Sequence, residues 1–496
     1  MKKTYLIKPP ETPRANTVRR VLNTAPIEDQ LARTSEGFNC AQLPEPELLF
    51  SGNRRCVDPR TGLMAYGPHW KGSREKRLQV RVGIVGTSEG IEKTLKLLEE
   101  ISKPIEQDPN IDCILHPSFP GLNSGLPFEI EIVTLPTWHR PIYARDLSQI
   151  VNCEDSGIKP GLPQACFSGE VRALSELDIP PDVVICSIPQ DVERQLLSRG
   201  QQESYKCRFQ SGLKAASLDF LPTELLWADS HSPAARRKDL ATQAWNLSVA
   251  LLYKAGLIPW FPADAPEDTC YAGISSFHAT GSDSPHSRTI FAQVFTNLGQ
   301  SLILKSDTCQ PNPEDTGKGP HLTNDQATKL ASQILEAYTK QVGDLPRKVV
   351  IQKTSPYTRA ERQGFENLFG KIDKYGLVTL TRRGIFCLRP GEKTISRGTA
   401  VQFGEKLGLI YASGYVPFLR SHVGFKMPQP LEIAENWGTL SFQEAAADVL
   451  KLTKLNRNTP AFCLEDPITL AQMNDIGEIL QIAGNLCPAS DPRFYL

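Results

Sequence analysis

From Leu78 onward the chain alternates short apolar runs with segments of helical periodicity, and this alternation restricts the fold most. Residues 78–85 (LQVRVGIV), 128–135 (FEIEIVTL) and 182–188 (DVVICSI) read as strands. The last is continuously apolar, as in a strand covered on both faces. Gly86 and Thr87 turn the first strand into a helix over 88–101, which Pro104 ends, and another helix starts over 193–197. Strands alternating with helices imply βαβ units and a parallel sheet. Gly83-x-x-Gly86 follows a strand, but G-x-G-x-x-G is absent, so a dinucleotide site is discounted.

The 240–260 stretch (LATQAWNLSVALLYKAGLIPW) reads as a helix with almost no charge. Ala241, Ala244, Leu247, Ala250, Leu251 and Tyr253 recur at helical spacing, and Gly256 and Pro259 supply a stop. Asn246, Ala250 and Lys254 share one face. A lone cation there has two readings: it snorkels to the surface, or it meets an anion in a partly buried site. Lys214 lies in the preceding segment FQSGLKA, which is separated from the helix by 221–226 and a linker holding Arg236, Arg237 and Lys238. In open α/β sheets ligands gather beyond strand carboxyl ends, near helix starts, which makes the two lysines candidate partners around one phosphate.

Further on, strands are expected over 269–277, 290–294 and 300–304, the last two joined by a turn at Asn297-Leu-Gly. Helices follow over 325–342, capped by Thr323 or Asn324, and over 359–369, with a strand at 348–352 between them. Short strands over 377–380, 385–388, 400–403 and 409–411 precede helices over 442–451 and 468–483. Hairpins followed by alternation describe a mixed sheet. Residues 1 to about 75 are rich in proline and charge, with extended and turn elements near 43–50 and 59–68. They read as a strap on the body. The expected division is a strap over 1–75 and domains over 76–262 and 263–496.

At 496 residues, two or three domains are expected. A hydrophobic content of 40% and a charged content of 22% suit a soluble globular protein. No signal peptide and no membrane-length apolar run are evident, and the 12 cysteines include no C-x-x-C, so a reducing cytoplasm without membrane association is expected. The net charge is zero, so any basic nucleic-acid channel must be local.

Several segments together resemble one family. Trp245 to Trp260 resembles the junction of the MID and PIWI domains of prokaryotic Argonautes, and Cys270-Tyr-Ala-Gly-Ile274 the first PIWI strand. Arg347 to Lys353, with Tyr357, Glu361, Gly364 and Phe365, resembles the next catalytic-strand block. Leu452-Thr-Lys-Leu-Asn456, Asn458 and Asp466-Pro-Ile-Thr-Leu470 resemble the closing PIWI segment. The length leaves no space for N-terminal and PAZ domains, so the resemblance is to short prokaryotic Argonautes. It implies an α/β chain with a Rossmann-like MID domain followed by an RNase-H-like PIWI domain.

The resemblance carries over a pocket for the 5′-phosphate of a guide RNA. Lys214 and Lys254 match its lysines, and Asn246 matches an amide one helical face away. Gln210 stands where the family has an aromatic or imidazole, and Glu224 where it has glutamine. Leu496 supplies the terminal carboxylate that returns to the pocket. An acid beside a phosphate repels it, so either Mg²⁺ bridges Glu224, Leu496 and the phosphate, or Glu224 turns outward. Slicing in this family needs carboxylate-rich ligands for two Mg²⁺ ions about 4 Å apart. The first, second and fourth ligand positions match Ser275, Thr354 and Gln472, which cannot supply the anions. Asp283, in a nearby loop, reads as a bystander.

The implied function is guide-RNA-directed recognition of complementary single-stranded DNA without cleavage. The implied partner is an APAZ-effector protein, sirtuin-like or TIR-like and NAD-consuming, in prokaryotic defence against plasmids or phages that kills or arrests the invaded cell. Two other classes stay open: an active guided nuclease using other ligands, and an unrelated α/β metabolic enzyme.

Overall fold

The computed structural model describes residues 31–33, 38–69, 78–107, 114–143, 162–193, 202–228, 233–263, 268–278, 288–296, 301–309, 321–382, 395–423, 428–484 and 490–496. Expectations for 194–197, the Asn297-Leu-Gly turn, the 385–388 strand, Asp283 and residues 1–30 lie outside these.

The described residues begin with four short strands, β1 (Leu31–Arg33), β2 (Asn39–Gln42), β3 (Leu48–Phe50) and β4 (Arg54–Cys56), and a helix, α1 (Pro59–Tyr66). Turn and extended elements are expected around 59–68, so α1 is a correction. Asp58 accepts from the Thr61 backbone N–H at 2.7 Å, Pro59 opens the first turn, and Gly67 ends it at φ 76°. Eight residues interrupted by Gly62 are too few to show a helical period.

A parallel sheet follows: β5 (Leu78–Gly86), β6 (Ile130–Val133), β7 (His139–Pro141), β8 (Val183–Ile188) and β9 (Thr223–Trp227), ordered β6-β5-β8-β9 with β7 also on β5. Helices α2 (Ser88–Ile101), α3 (Leu162–Ser175), α4 (Gln202–Ser217) and α5 (Pro233–Lys254) connect it. Strand parity assigns the faces. Val183 and Ile185 join Leu97, Ile101 and Trp245 from α2 and α5, while Val184, Cys186 and Ile188 join Phe167, Val171, Phe209 and Leu213 from α3 and α4. Every residue of β8 is therefore buried, as its apolar run predicts. Helix α5 starts at Pro233, so the expected linker around 236–238 is helical.

After β10 (Phe261–Pro262), which pairs with β3, comes a ten-stranded mixed sheet. Its centre is β11 (Thr269–His278), β14 (Lys348–Lys353) and β15 (Lys374–Thr381), adjacent and parallel. The antiparallel strand β12 (Arg288–Phe295) flanks β11, and β13 (Ser301–Cys309) pairs with β12 beyond it. On the other side lie β20 (Leu431–Gly438), β17 (Gly408–Ile410), β16 (Thr399–Gln402), β2 and β1, while β18 (Gly414–Val416) and β19 (Ser421–Val423) form a separate hairpin. Helices α6 (Asn324–Val342) and α7 (Arg359–Phe369) cover one face. Helices α8 (Phe442–Leu452) and α10 (Met473–Ala483) cover the other.

The single helix expected over 468–483 is two, α9 (Ile468–Ala471) and α10, broken at Gln472 (φ −94°, ψ −9°). Apolar periodicity runs through the break because both helices pack on β11. Gly273 permits that approach: a Cβ there would lie 2.0 Å from the Thr469 carbonyl oxygen. One apolar cluster contains Val80 and Ile185 of the first sheet, Trp245 and Trp260 between, and Val350 and Ile433 of the second. The two sheets share a core through α5.

Candidate nucleic-acid interface

Two polar sites stand out, one beside α4 and α5 and one at the end of the second sheet. In the first, Lys254 occupies the last turn of α5, and only 1% of it is exposed. Its Nζ donates to the Thr223 carbonyl at 2.8 Å and to the Glu224 carboxylate. Lys214, in the last turn of α4 and also buried, donates to the Tyr495 carbonyl at 3.3 Å. Burial pushes the Lys214 ammonium down to about 7; the Lys254 charge adds to this, and Glu224 and Asp475 partly oppose it.

Tyr495 and Leu496 belong to this site. Tyr495 is fully buried in a cluster with Ala215, Leu218, Met473 and Ile476, and Leu496 is buried beside it. Arg493, paired with Asp491 at 2.6 Å, donates to the Lys254 carbonyl at 3.4 Å, near the end of α5. Gln210 lies one turn before Lys214 and is partly exposed. Asn246 lies about 12 Å along α5 from Lys254, and its buried Oδ1 has no hydrogen-bond partner. The structure thus brings Lys214, Lys254, Glu224, Tyr495 and Leu496 together and leaves Asn246 two turns away.

Two expectations change. The lysines stand at helix carboxyl ends beside the amino end of β9, not beyond strand carboxyl ends. The backbone dipole at a helix C-terminus favours a cation, which helps two ammonium groups remain buried. Glu224 is turned inward, toward Lys254. It is 24% exposed, and its charge is met by Lys254.

Whether these residues fit a divalent ion depends on oxygen donors. Mg²⁺ takes one or two carboxylates together with phosphate oxygens and water. Glu224, shared with Lys254, is of that kind, so the donor chemistry fits.

The second site is a cleft of about 370 Å³ at the carboxyl ends of the three central parallel strands. Ser275, near the end of β11, and Thr354, just beyond β14, both line it. Gln472 does not; it is buried behind, its Oε1 accepting from Gln293 Nε2 at 3.1 Å. Asn474, two residues on, lines the cleft instead. Arg382, just beyond β15, lines it too and pairs with Asp466 at 2.7 Å. Asp466 is the one carboxylate among the lining residues. Among the described residues no group of three or more His, Cys, Asp and Glu side chains is placed to hold a metal. No described helix is long and apolar enough to cross a membrane.

This arrangement of two sheets recurs in known structures. It matches Clostridium butyricum Argonaute bound to a guide DNA and a 19-mer target DNA, at 14% identity over 93% of this chain and 55% of that one, with a TM-score of 0.63. The fold is that of Argonaute and Piwi proteins. Drosophila Piwi matches at 13% identity over 92% of this chain and 56% of that one, TM-score 0.55. Aquifex aeolicus Argonaute matches at 13% over 95% and 57%, TM-score 0.53. The chain therefore spans a little over half the length of these Argonaute and Piwi structures. In Argonaute terms, a Rossmann-like MID unit precedes an RNase-H-like PIWI unit, as expected. No family model matches the sequence, and no curated protein matches it significantly.

Proposed function

We propose that this chain binds a guide RNA by its 5′-phosphate and uses it to recognise complementary single-stranded DNA. The observation that carries this reading is the meeting, in an Argonaute-like fold, of two buried lysines from different helices beside buried Tyr495 and Leu496. Two ammonium groups match a terminal phosphate carrying nearly two charges, and their burial in the guide-free protein calls for an anion. A phosphate entering there competes with Glu224 for Lys254. Mg²⁺ held by Glu224 and Leu496 would supply positive charge between the two acids and the phosphate.

The test compares 5′-phosphorylated and 5′-hydroxyl guides. Changing Lys214 and Lys254 to Ala should remove a large native preference for phosphate, costing about 1.5–3 kcal/mol per charge-assisted contact. A native protein indifferent to the phosphate refutes the pocket. For the ion, chelation should weaken phosphorylated-guide binding in the native protein, and Glu224→Gln should abolish that sensitivity. If both affinity and its metal dependence survive Glu224→Gln, the acid holds no ion.

The PIWI unit serves here as a binding surface and not as a nuclease. Ser275, Thr354 and Gln472 stand at positions where the family's slicing enzymes carry metal ligands, and hydroxyls and an amide leave the metals without charge neutralisation. The output then belongs to a partner. The resemblance to short prokaryotic Argonautes points to an APAZ-effector protein, sirtuin-like or TIR-like, that consumes NAD once the target pairs with the guide.

A further inference from the structure

Helices α4 and α10 pack against one another beside the lysine site. Ala215 of α4 and Leu218 just past it share a buried cluster with Met473, Ile476 and Ile479 of α10. Along the rim of that contact the side chains are polar. Ser211 Oγ donates to the Glu478 carboxylate at 3.1 Å. Ser211 and Lys214 are three residues apart on α4, and Asp475 and Glu478 three apart on α10, so each pair shares one helix face. The Ser211–Glu478 bond turns those faces toward one another and sets Asp475 near Lys214. Partial burial raises the Asp475 carboxyl, Lys214 draws it back, and Glu478 raises it again. Both carboxylates reach the surface, while Lys214 is buried. The helix dipole favours an acid in the first turn of α10, which accounts for Asp475. It does not account for Glu478, which sets a second negative charge on the rim one turn further along.

We propose that Asp475 and Glu478 limit the charge of the guide end that the lysines accept, selecting a 5′-monophosphate over a 5′-triphosphate. Two forces act on the entering group. The lysines attract it at contact distance, through charge-assisted hydrogen bonds from buried positions. The carboxylates of α10 repel it from the rim, where water weakens the force without removing it. In a triphosphate only one phosphate can take the place between the lysines. The outer phosphates bring further negative charge, and the repulsion from α10 grows with the charge that enters. An RNA keeping the triphosphate of its initiating nucleotide would be turned away. The guide would then come from a cleavage that leaves a 5′-monophosphate.

The inference rests on the guide-binding reading, and the experiment separates the two. One guide RNA is prepared with a 5′-hydroxyl, a 5′-monophosphate or a 5′-triphosphate, and its binding to the full chain is measured at low salt. A native protein that does not prefer monophosphate to hydroxyl overturns the guide-binding reading and this inference with it. Given that preference, the native protein should bind the monophosphate about tenfold more tightly than the triphosphate, and the gap should narrow as salt rises. Asp475→Asn combined with Glu478→Gln keeps the side-chain shapes and removes both charges. Hydroxyl-guide affinity should be unchanged, which also reports that the variant is folded. Monophosphate affinity should rise by about threefold and triphosphate affinity by about tenfold or more. Asp475→Asn alone, which leaves the Ser211–Glu478 bond in place, should give part of that gain. Equal native affinities for the two phosphorylated guides overturn the inference, whatever the variants do. A native preference that the double variant keeps in full overturns it too, since the limit is then one of space. A gain equal for all three guides does the same, because it marks altered packing and not charge.

Discussion

Lys214 carries a charge whose burial is costly until a ligand arrives. Its ammonium is held down to about 7 by burial and by Lys254. Between that value and the ordinary lysine range the unfolded chain binds more protons than the folded one, so stability rises with pH across that window. Below it both states are protonated and the full cost of the buried charge is felt. Lys214→Met should therefore raise the melting temperature more at pH 6 than at pH 9; an equal rise at both would place the charge elsewhere. A phosphate reverses the balance by favouring the ammonium form. At pH 8, binding of a phosphorylated guide should take up about one proton, seen as a dependence of the calorimetric heat on buffer. Lys254 could be picked out in the sequence as a lone cation on an apolar helix, and Lys214 through the strand-end rule and the family resemblance. Asp475 and Glu478 could not, since their place beside Lys214 comes from the packing of α10 on α4, two helices far apart in the chain.

Elements with strong punctuation were legible nearly to the residue. Helices α6, α7 and α8 each begin in a capping box, Thr323 with Gln326, Thr358 with Glu361, Ser441 with Glu444, and their boundaries fall where those pairs place them. The α9–α10 break had no such mark, because contact with β11, not local sequence, decides it. Glu361 does more than cap. It accepts two bonds from Lys353 at 2.9–3.0 Å, one from the Leu322 N–H at 3.2 Å and one from the Thr358 N–H at 2.9 Å. Burial raises its pKa, but His321, Lys353 and the Thr358 N–H outweigh that and hold it down to about 2. Its stabilising effect is complete above the ordinary glutamate range and lost as pH falls toward 2. Glu361→Ala would leave Lys353 buried without its counter-charge, a loss of about 3–5 kcal/mol read from the denaturant midpoint at pH 7. The gap between variant and native protein should narrow as the pH is lowered, and a gap constant with pH would show that packing, not charge, is lost.

At the scale of the whole molecule the first two described strands, β1 and β2, form one edge of the second sheet. Strand β2 pairs with β16, and Glu45 accepts from Arg397 at 3.0 Å and from Lys454 at 2.8 Å, both fully buried cations. A strap reading of the sequence could not show this, because the partners lie some 350 residues away. The shared core through α5 makes the lysine site and the strand-end cleft parts of one packed body, which on the proposed reading could couple their occupancy. If the chain were a nuclease, that coupling would have no required reader. On the proposed reading, in which Ser275 and Thr354 line a cleft that does not cut, the reader is another protein. The expected outcome is that purified chain, guide RNA and matched DNA leave both strands intact in Mg²⁺ and in Mn²⁺. The same mixture with the APAZ-effector partner should consume NAD only when guide and target match. Guide-dependent cutting by the isolated chain would return the cleft to catalysis through ligands not yet named. Effector turnover that ignores the match would remove target recognition as the trigger, since a ligand shifts an equilibrium only by its differential affinity for the two states.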